Sequence, residues 1–433
     1  MSESYLDSRV VLHSGDCREV IRGLPDASID SVVTDPPYAL VSIVKRFGKA
    51  GAAPAKHGVD GVYARASAGF MGQSWDTGET AFATEFWVEV LRVLKPGGHV
   101  VAFSGTRTYH RMVVAIEDAG FEIRDQLAWV YGSGFPKSHG VSRAIDDRFG
   151  WFDDDERAAG LCSHTAAQMA GLGTALKPAW EPIVLARRSL AGTVAETVFA
   201  HGTGAINIDG CRVETSENPT IRRREYAPPQ RESGNWSSDR RSSETYGSMR
   251  PAEMLGRWPA NVLHDGSDEV VAAFPQAPGQ MAEVCPNSGA GKKTGAIYGA
   301  FAANSDCTPR ADADSAARFF YSAKADAHDR VASRHPTVKP LDLMQWLCRL
   351  VTPKGGLVLD PFAGTGTTGE AAWREGFRAI LVEREAAYCD DIRRRLRLAD
   401  RPGERAAVAK SKGRAAVDHG PLFAAVGIGG AAE

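Results

Sequence analysis

Residues Thr34-Asp35-Pro36-Pro37-Tyr38 set a carboxylate, two ring-locked residues and an aromatic directly after the mostly apolar run Ile29-Asp30-Ser31-Val32-Val33. The run reads as a buried strand, so the five residues fall at its carboxyl end, where open α/β sheets bind ligands. The two prolines fix φ at about −65° and remove two backbone donors, which leaves carbonyls as the main-chain polar groups of the turn. Asp35 and the Pro36 carbonyl can then both accept hydrogen bonds from one amino group. Tyr38 can offer a flat face to the ring that carries it. That is the chemistry of a pocket for an exocyclic amine on a planar base. The bland alternative is a Pro-Pro turn ending a strand by chance, since Asp-Pro turns are common.

A second motif lies far downstream. Gly356-Leu357-Val358-Leu359-Asp360-Pro361-Phe362-Ala363-Gly364-Thr365-Gly366-Thr367-Thr368 runs from a short apolar strand into the helix Gly369-Glu370-Ala371-Ala372-Trp373. Gly364 and Gly366 let a ligand approach the backbone closely, and the helix that follows offers free N–H groups. A lone Gly-x-Gly is weak, but here the strand Phe377-Arg378-Ala379-Ile380-Leu381-Val382-Glu383 follows. That makes a βαβ unit with an acid at the tip of its second strand, roughly 20 residues on, where a ribose diol would be held.

Together the motifs resemble a known family. Asp35-Pro36-Pro37-Tyr38 resembles the catalytic motif of DNA amino-methyltransferases. The loop is similar to their S-adenosylmethionine loop rather than to a dinucleotide fingerprint, because the third glycine is missing and Asp360-Pro361-Phe362 precedes it. Release-factor and ribosomal RNA amino-methyltransferases carry a related motif after the cofactor loop; here it comes first, with a long insert between. That order resembles the permuted beta class of DNA amino-methyltransferases, over residues 10–200 and 330–397. The resemblance implies catalysis by Asp35, Pro36, Pro37 and Tyr38, and S-adenosylmethionine bound by Asp360, Phe362, Ala363, Gly364, Thr365, Gly366 and Thr367. Glu383 would take the ribose hydroxyls and Asp16 would lie near the adenine. Ser333–Pro340 resembles the family's cofactor-side motif and adds His335, Thr337 and Lys339; the bland alternative is a helix N-terminal turn. In that family Asp at the first motif position leans toward adenine and Ser toward cytosine, so adenine N6 is expected and cytosine N4 is the alternative. An RNA amino-methyltransferase is disfavoured by motif order and by the insert. An idle DNA-binding module is disfavoured by two intact motifs, and a Rossmann oxidoreductase leaves Asp35–Tyr38 unexplained.

Elements to position these residues are legible. Val10–His13 reads as a strand and Cys17–Leu24 as a helix closed by Pro25. Phe86, Val90, Leu91 and Leu94 fall at helical spacing, with Pro96-Gly97-Gly98 as the stop. His99–Phe103 reads as a strand, Tyr109–Ala119 as a helix, Phe121–Tyr131 and Glu181–Arg187 as strands, and 341–351 as a helix. The expectation is an α/β, doubly wound, seven-stranded, Rossmann-like methyltransferase fold, circularly permuted, with an inserted target-recognition region. Its expected parts are a catalytic half (1–200), a recognition insert (201–330), a cofactor half (331–397) and a disordered tail (398–433), the last from its Ala, Gly and charge content.

Composition sets the outer bounds. Hydrophobic content of 43% and charged content of 24% over 433 residues are ordinary for a globular protein with a large core. With no long apolar run and no apolar leader, neither membrane nor secretion is expected, and the cytoplasm is. Seven cysteines with no C-x-x-C pair argue against a metal, and His13, Cys162 and Cys211 lack ligand-spaced neighbours. A net charge of −2 means that a DNA binder must gather its basic residues on one face. Residues 221–250 hold seven arginines against four acids, a local net of +3, interleaved with Tyr226, Trp236 and Tyr246. Arg222, Arg223, Arg224, Arg240 and Arg241 are the candidate contacts to double-stranded DNA, the first three to phosphates; the alternative is a solvated insert. Residues 41–75 read as a long insertion beside the site, either a lid closing over DNA or disordered. A restriction endonuclease partner and a homodimer stay open.

Overall fold

The computed structural model describes residues 2–38, 79–134, 138, 140–149, 162–214, 256–277, 315–323, 327–333, 335 and 337–413. Ten strands form one sheet: β1 (Ser2–Tyr5), β2 (Val10–Ser14), β3 (Ile29–Thr34), β4 (Leu94–Phe103), β5 (Glu122–Val130), β6 (Trp180–Arg187), β7 (Val262–His264), β8 (Tyr321–Ser322), β9 (Leu357–Asp360) and β10 (Arg378–Glu383). Their order is β1-β2-β10-β9-β3-β4-β6-β5-β7-β8. The seven strands expected from sequence are contiguous within it, from β2 to β5. The expected count is three short, because the outlying strands β1, β7 and β8 are too brief to show a periodic pattern.

β2, β10, β9, β3 and β4 run parallel, and β6 is antiparallel to both β4 and β5. Every residue of β3 is buried, as a parallel strand covered on both faces requires. Alternation along the strands divides the core. Val33, Val101, Phe103 and Val358 face one layer, and Val32, Val100, Ala102 and Leu359 the other. The second layer is filled by α1 (Cys17–Arg22), α2 (Thr84–Val93) and α3 (Tyr109–Asp118). Two shorter helices, α4 (Val141–Phe149) and α5 (His164–Gln168), lie between β5 and β6 in the chain. After α6 (Val194–His201) and α7 (Asp268–Ala273), the first layer is supplied by α8 (Leu341–Val351), α9 (Thr367–Arg374) and α10 (Ala386–Leu398). In α8 every residue but Asp342, Gln345 and Arg349 is buried, which is why its apolar spacing located it in the sequence.

Several expectations change. α2 ends at Val93 and the chain enters β4 at Leu94, so Pro96-Gly97-Gly98 lies inside the strand instead of stopping the helix. Within the expected insert 201–330, β7 and β8 extend the sheet beyond β5, and Cys211, Leu263 and Ala323 join the core. Within the expected tail 398–433, Pro402–Gly413 is a further helix, α11; residues 414–433 lie outside the described residues. Among the described residues no helix is long and apolar enough to cross a membrane.

Candidate active site

β9 and β3 are neighbours, yet the chain leaves them in opposite directions: from β9 through α9 to β10, and from β3 toward β4. Such a reversal opens a crevice at the carboxyl ends of the two strands. Both motifs sit there. Thr34 Oγ1 donates to Asp360 Oδ1 at 2.6 Å, tying the two strand ends together. Asp360 is only 2% exposed and also accepts from the Phe362 N–H at 3.1 Å. Burial pushes its carboxyl up to about 6 against those hydrogen bonds. Asp360 thus forms the floor of the loop, and a ligand would meet the residues above it.

The loop is shaped for backbone contact. Gly364 and Gly366 take φ of 52° and 76°, a left-handed region that favours glycine. A Cβ on Gly366 would also come within 3.1 Å of Ile392. Gly366 caps α9, so Thr367 and Thr368 open that helix with their N–H groups toward the crevice. Ala363 N–H bonds the Val382 carbonyl at 3.0 Å, Phe362 packs on Phe86 with centroids 5.4 Å apart, and Thr365 and Thr367 hydroxyls lie 3.2 Å apart. Glu383 ends β10 and is 9% exposed. Its carboxylate accepts from the Gly364 and Glu385 N–H groups, both at 2.8 Å. Burial outweighs these bonds and raises its carboxyl to about 7. Asp16 stands beside it at the end of β2, where Gly15 N–H meets the Glu383 carbonyl at 2.9 Å. Asp16 caps α1 through the Arg18 N–H and pairs with the Arg18 guanidinium at 2.6 Å, which lowers its carboxyl below its ordinary value. His335 lies over Gly364, with Nε2 3.6 Å from where a Cβ would stand, and its Nδ1 is 2.7 Å from the Thr337 carbonyl oxygen. Burial lowers the imidazole pKa. Thr337 is exposed beside it.

Lys339, expected on the cofactor side, directs its ammonium toward the turn after β3. It reaches Asp35 Oδ2 at 2.9 Å, Glu181 Oε2 at 2.8 Å and the Tyr38 hydroxyl at 2.9 Å. It also lies 4.7 Å from the Phe103 ring centroid. An ammonium has three donors, and these three acceptors use them all. Burial alone would lower its pKa; Asp35 and Glu181 outweigh that and hold it above the ordinary value. Tyr38 donates in turn to Glu181 Oε2 at 2.9 Å. Burial first, then Asp35 and Glu181, push its phenol well up, so it remains a donor. The Tyr38 carbonyl accepts from Thr108 at 2.8 Å, and a Cβ on Gly105 would come within 3.3 Å of Tyr38 Cδ2. The ring is therefore fixed by both its face and its hydroxyl. Asp35 Oδ1 is different: it is buried and has no hydrogen-bond partner among the described residues.

In the sequence Glu181 reads only as the start of a strand. Because β6 runs antiparallel to β4, pairing Ile183 with Phe103, its first residues lie at the same rim as the carboxyl ends of β3 and β4. An acid at the amino end of an antiparallel closing strand is the signal that would have found it. Arg222, Arg223, Arg224, Arg240 and Arg241, and the expected lid 41–75, lie outside the described residues, Pro36 and Pro37 within them. Among the described residues no cluster of His, Cys, Asp or Glu could hold a metal.

The chain is thus a mixed α/β sheet in which the turn after β3 and the glycine loop after β9 face each other across the switch point. The sequence pattern of the DNA methylase family matches residues 29–394, and the chain belongs to that family. It is 41% identical over 68 residues to the type II methyltransferase M2.DpnII of Streptococcus pneumoniae, across 16% of this chain and 25% of that protein. It is 24% identical over 212 residues to the type II methyltransferase M.HindIII of Haemophilus influenzae, across 45% of this chain and 64% of that protein. The matched stretches thus span less than two thirds of either relative. Among solved structures, the cytosine-N4-specific PvuII DNA methyltransferase aligns over 96% of both chains at 15% identity and a TM-score of 0.43.

Proposed function

We propose that this protein is a circularly permuted DNA methyltransferase that transfers a methyl group from S-adenosylmethionine to the N6 amino group of a flipped adenine in double-stranded DNA. The observation that carries the reading is the buried Asp35 Oδ1 at the turn after β3, which has no partner among the described residues. A buried acceptor without a donor costs free energy, and an exocyclic N–H is the donor that this turn is shaped to receive.

The residues fit the cofactor. The left-handed glycines Gly364 and Gly366 let it approach the backbone, and Glu383, protonated near neutrality by burial, gains donors from a ribose diol. When bound, S-adenosylmethionine supplies a methyl already activated on a sulfonium, so alignment is the protein's main task. Asp35 Oδ1 and the Pro36 carbonyl accept the two N–H groups of the base and favour a pyramidal nitrogen whose lone pair is free. Lys339, itself held by Glu181, donates to the other Asp35 oxygen and fixes the direction in which Oδ1 points. Tyr38 stacks on the extruded ring, and stacking of about 1–3 kcal/mol per base offsets part of the few kcal/mol that flipping costs. Adenine is favoured over cytosine by Asp35 at the first motif position.

The test is incubation of duplex DNA with S-adenosylmethionine and the protein, followed by nucleoside mass spectrometry. N6-methyldeoxyadenosine is expected; N4-methyldeoxycytidine would move the target base and keep the site. Methyl on RNA alone, or on neither, would overturn the reading.

A further inference from the structure

The hidden side of the glycine loop is held by charges that belong to neither motif. Glu370, in the first turn of α9, is completely buried, and its carboxylate receives Arg374 at 2.9 Å, Arg395 at 2.9 Å, and Arg405. Arg395, on α10, is also completely buried, and its guanidinium reaches three segments at once. Its Nε donates to the Thr365 carbonyl, between Gly364 and Gly366, at 2.8 Å; Nη1 binds Glu370; Nη2 donates to the Asp329 carbonyl. Asp329 in turn accepts from the N–H of Leu341, the first residue of α8, at 3.2 Å. Leu341 stands two residues beyond Lys339, so one guanidinium joins the loop to the turn that delivers Lys339 to Asp35. A planar fork with five donors suits a junction of this kind, and an ammonium does not. Arg405 reaches Glu370 from α11 with a side chain only 11% exposed.

The family match ends at residue 394. We infer that Arg395 and Arg405, both past that limit, are positioning residues by which the C-terminal arm braces the Gly364–Gly366 loop from behind through Glu370. The inference rests on the proposed cofactor role of that loop. A buried ion pair adds little to stability compared with apolar groups of the same volume, which leaves the fixing of loop geometry as its use. Arg395 contacts the loop carbonyl directly, and Arg405 keeps the Glu370 carboxylate in place to receive it.

The full chain tests this with Arg405→Gln, Arg405→Lys and Arg395→Lys, reading S-adenosylmethionine affinity by calorimetry beside KM and kcat. Arg405→Gln should weaken Kd and KM for the cofactor about tenfold, the loss of one charge-assisted bond. kcat at saturation should hold, as when uniform binding is removed. Arg405→Lys should recover most of that affinity. Arg395→Lys keeps the charge but loses the fork, and should lower kcat as well because the turn before Lys339 is released. If Arg395→Lys does not fold, the two Arg405 variants decide alone. Unchanged cofactor KM in Arg405→Gln, or equal damage from Gln and Lys, would overturn the inference. A wild-type protein that does not bind S-adenosylmethionine would instead remove the cofactor reading beneath it.

Discussion

Replacing Lys339 by Met separates two roles that sequence alone had merged. Met has a similar length and fills the space without a cavity, so the loss is the charge and its three bonds. Lys339 is 6% exposed, and its acceptors Asp35 and Glu181 retain 21% and 16% side-chain exposure. Removing the ammonium leaves two carboxylates facing each other with no cation between them. Breaking a buried pair costs about 3–5 kcal/mol; the partial exposure of both acids places this case at the lower end, about 3 kcal/mol. Denaturant unfolding should show that loss. Asp35 also loses the partner that orients it, and misplacement by an ångström can cost on the order of 10²-fold in rate. Single-turnover methyl transfer should fall by that order while S-adenosylmethionine affinity stays within about twofold, because no Lys339 donor is left over for the cofactor. Glu181→Gln added to Lys339→Met should recover part of the stability, a coupling that a double-mutant cycle measures. A variant with weakened cofactor binding and normal kcat would refute the reasoning and return Lys339 to the cofactor.

Cofactor affinity should rise with pH: a Glu383 carboxyl at about 7, against an ordinary 4.5, keeps its proton in the free protein up to about that pH, and diol donors favour the carboxylate, so binding there releases a proton. By the same sign, the cofactor-free protein binds more protons than the unfolded chain in that window and loses stability as pH rises from 4.5 through about 7; Glu383→Gln should flatten both, as calorimetry across pH will read. Tyr38→Ala should slow transfer more than Tyr38→Phe, but Phe should fall measurably short of wild type, because the hydroxyl is bonded to Glu181 and Lys339; equal rates for Phe and wild type would deny the hydroxyl a part. Replacing Arg222, Arg223 and Arg224 together should lessen the slope of log K for DNA against log salt through lost counterion release, and an unchanged slope would make the segment a solvated insert.

What was legible in the sequence is what local pattern controls. The buried strands β3 and β9, the helix α8 and the two motifs each carry their signal in consecutive or helically spaced residues, and the structure brings both motifs to one crevice. What was illegible depends on pairing between distant segments. Glu181 gains meaning only because β6 runs antiparallel and turns its first residues toward Asp35. Lys339 meets Asp35 because the turn before α8 reaches the end of β3, and Arg405 meets Glu370 because α11 folds back on α9. The three extra strands are too short to announce themselves, at four, three and two residues.

The most direct measurement is single-turnover transfer of labelled methyl from S-adenosylmethionine to duplex DNA by Asp35→Ala, with cofactor affinity measured in parallel. Asp35 Oδ1 is a buried acceptor with no partner among the described residues. Its removal should therefore cost at least the 10²–10³-fold typical of losing one preorganised group, while cofactor affinity remains near that of the wild type. An Asp35→Ala protein that transfers methyl at close to the normal rate would contradict the mechanism at its centre.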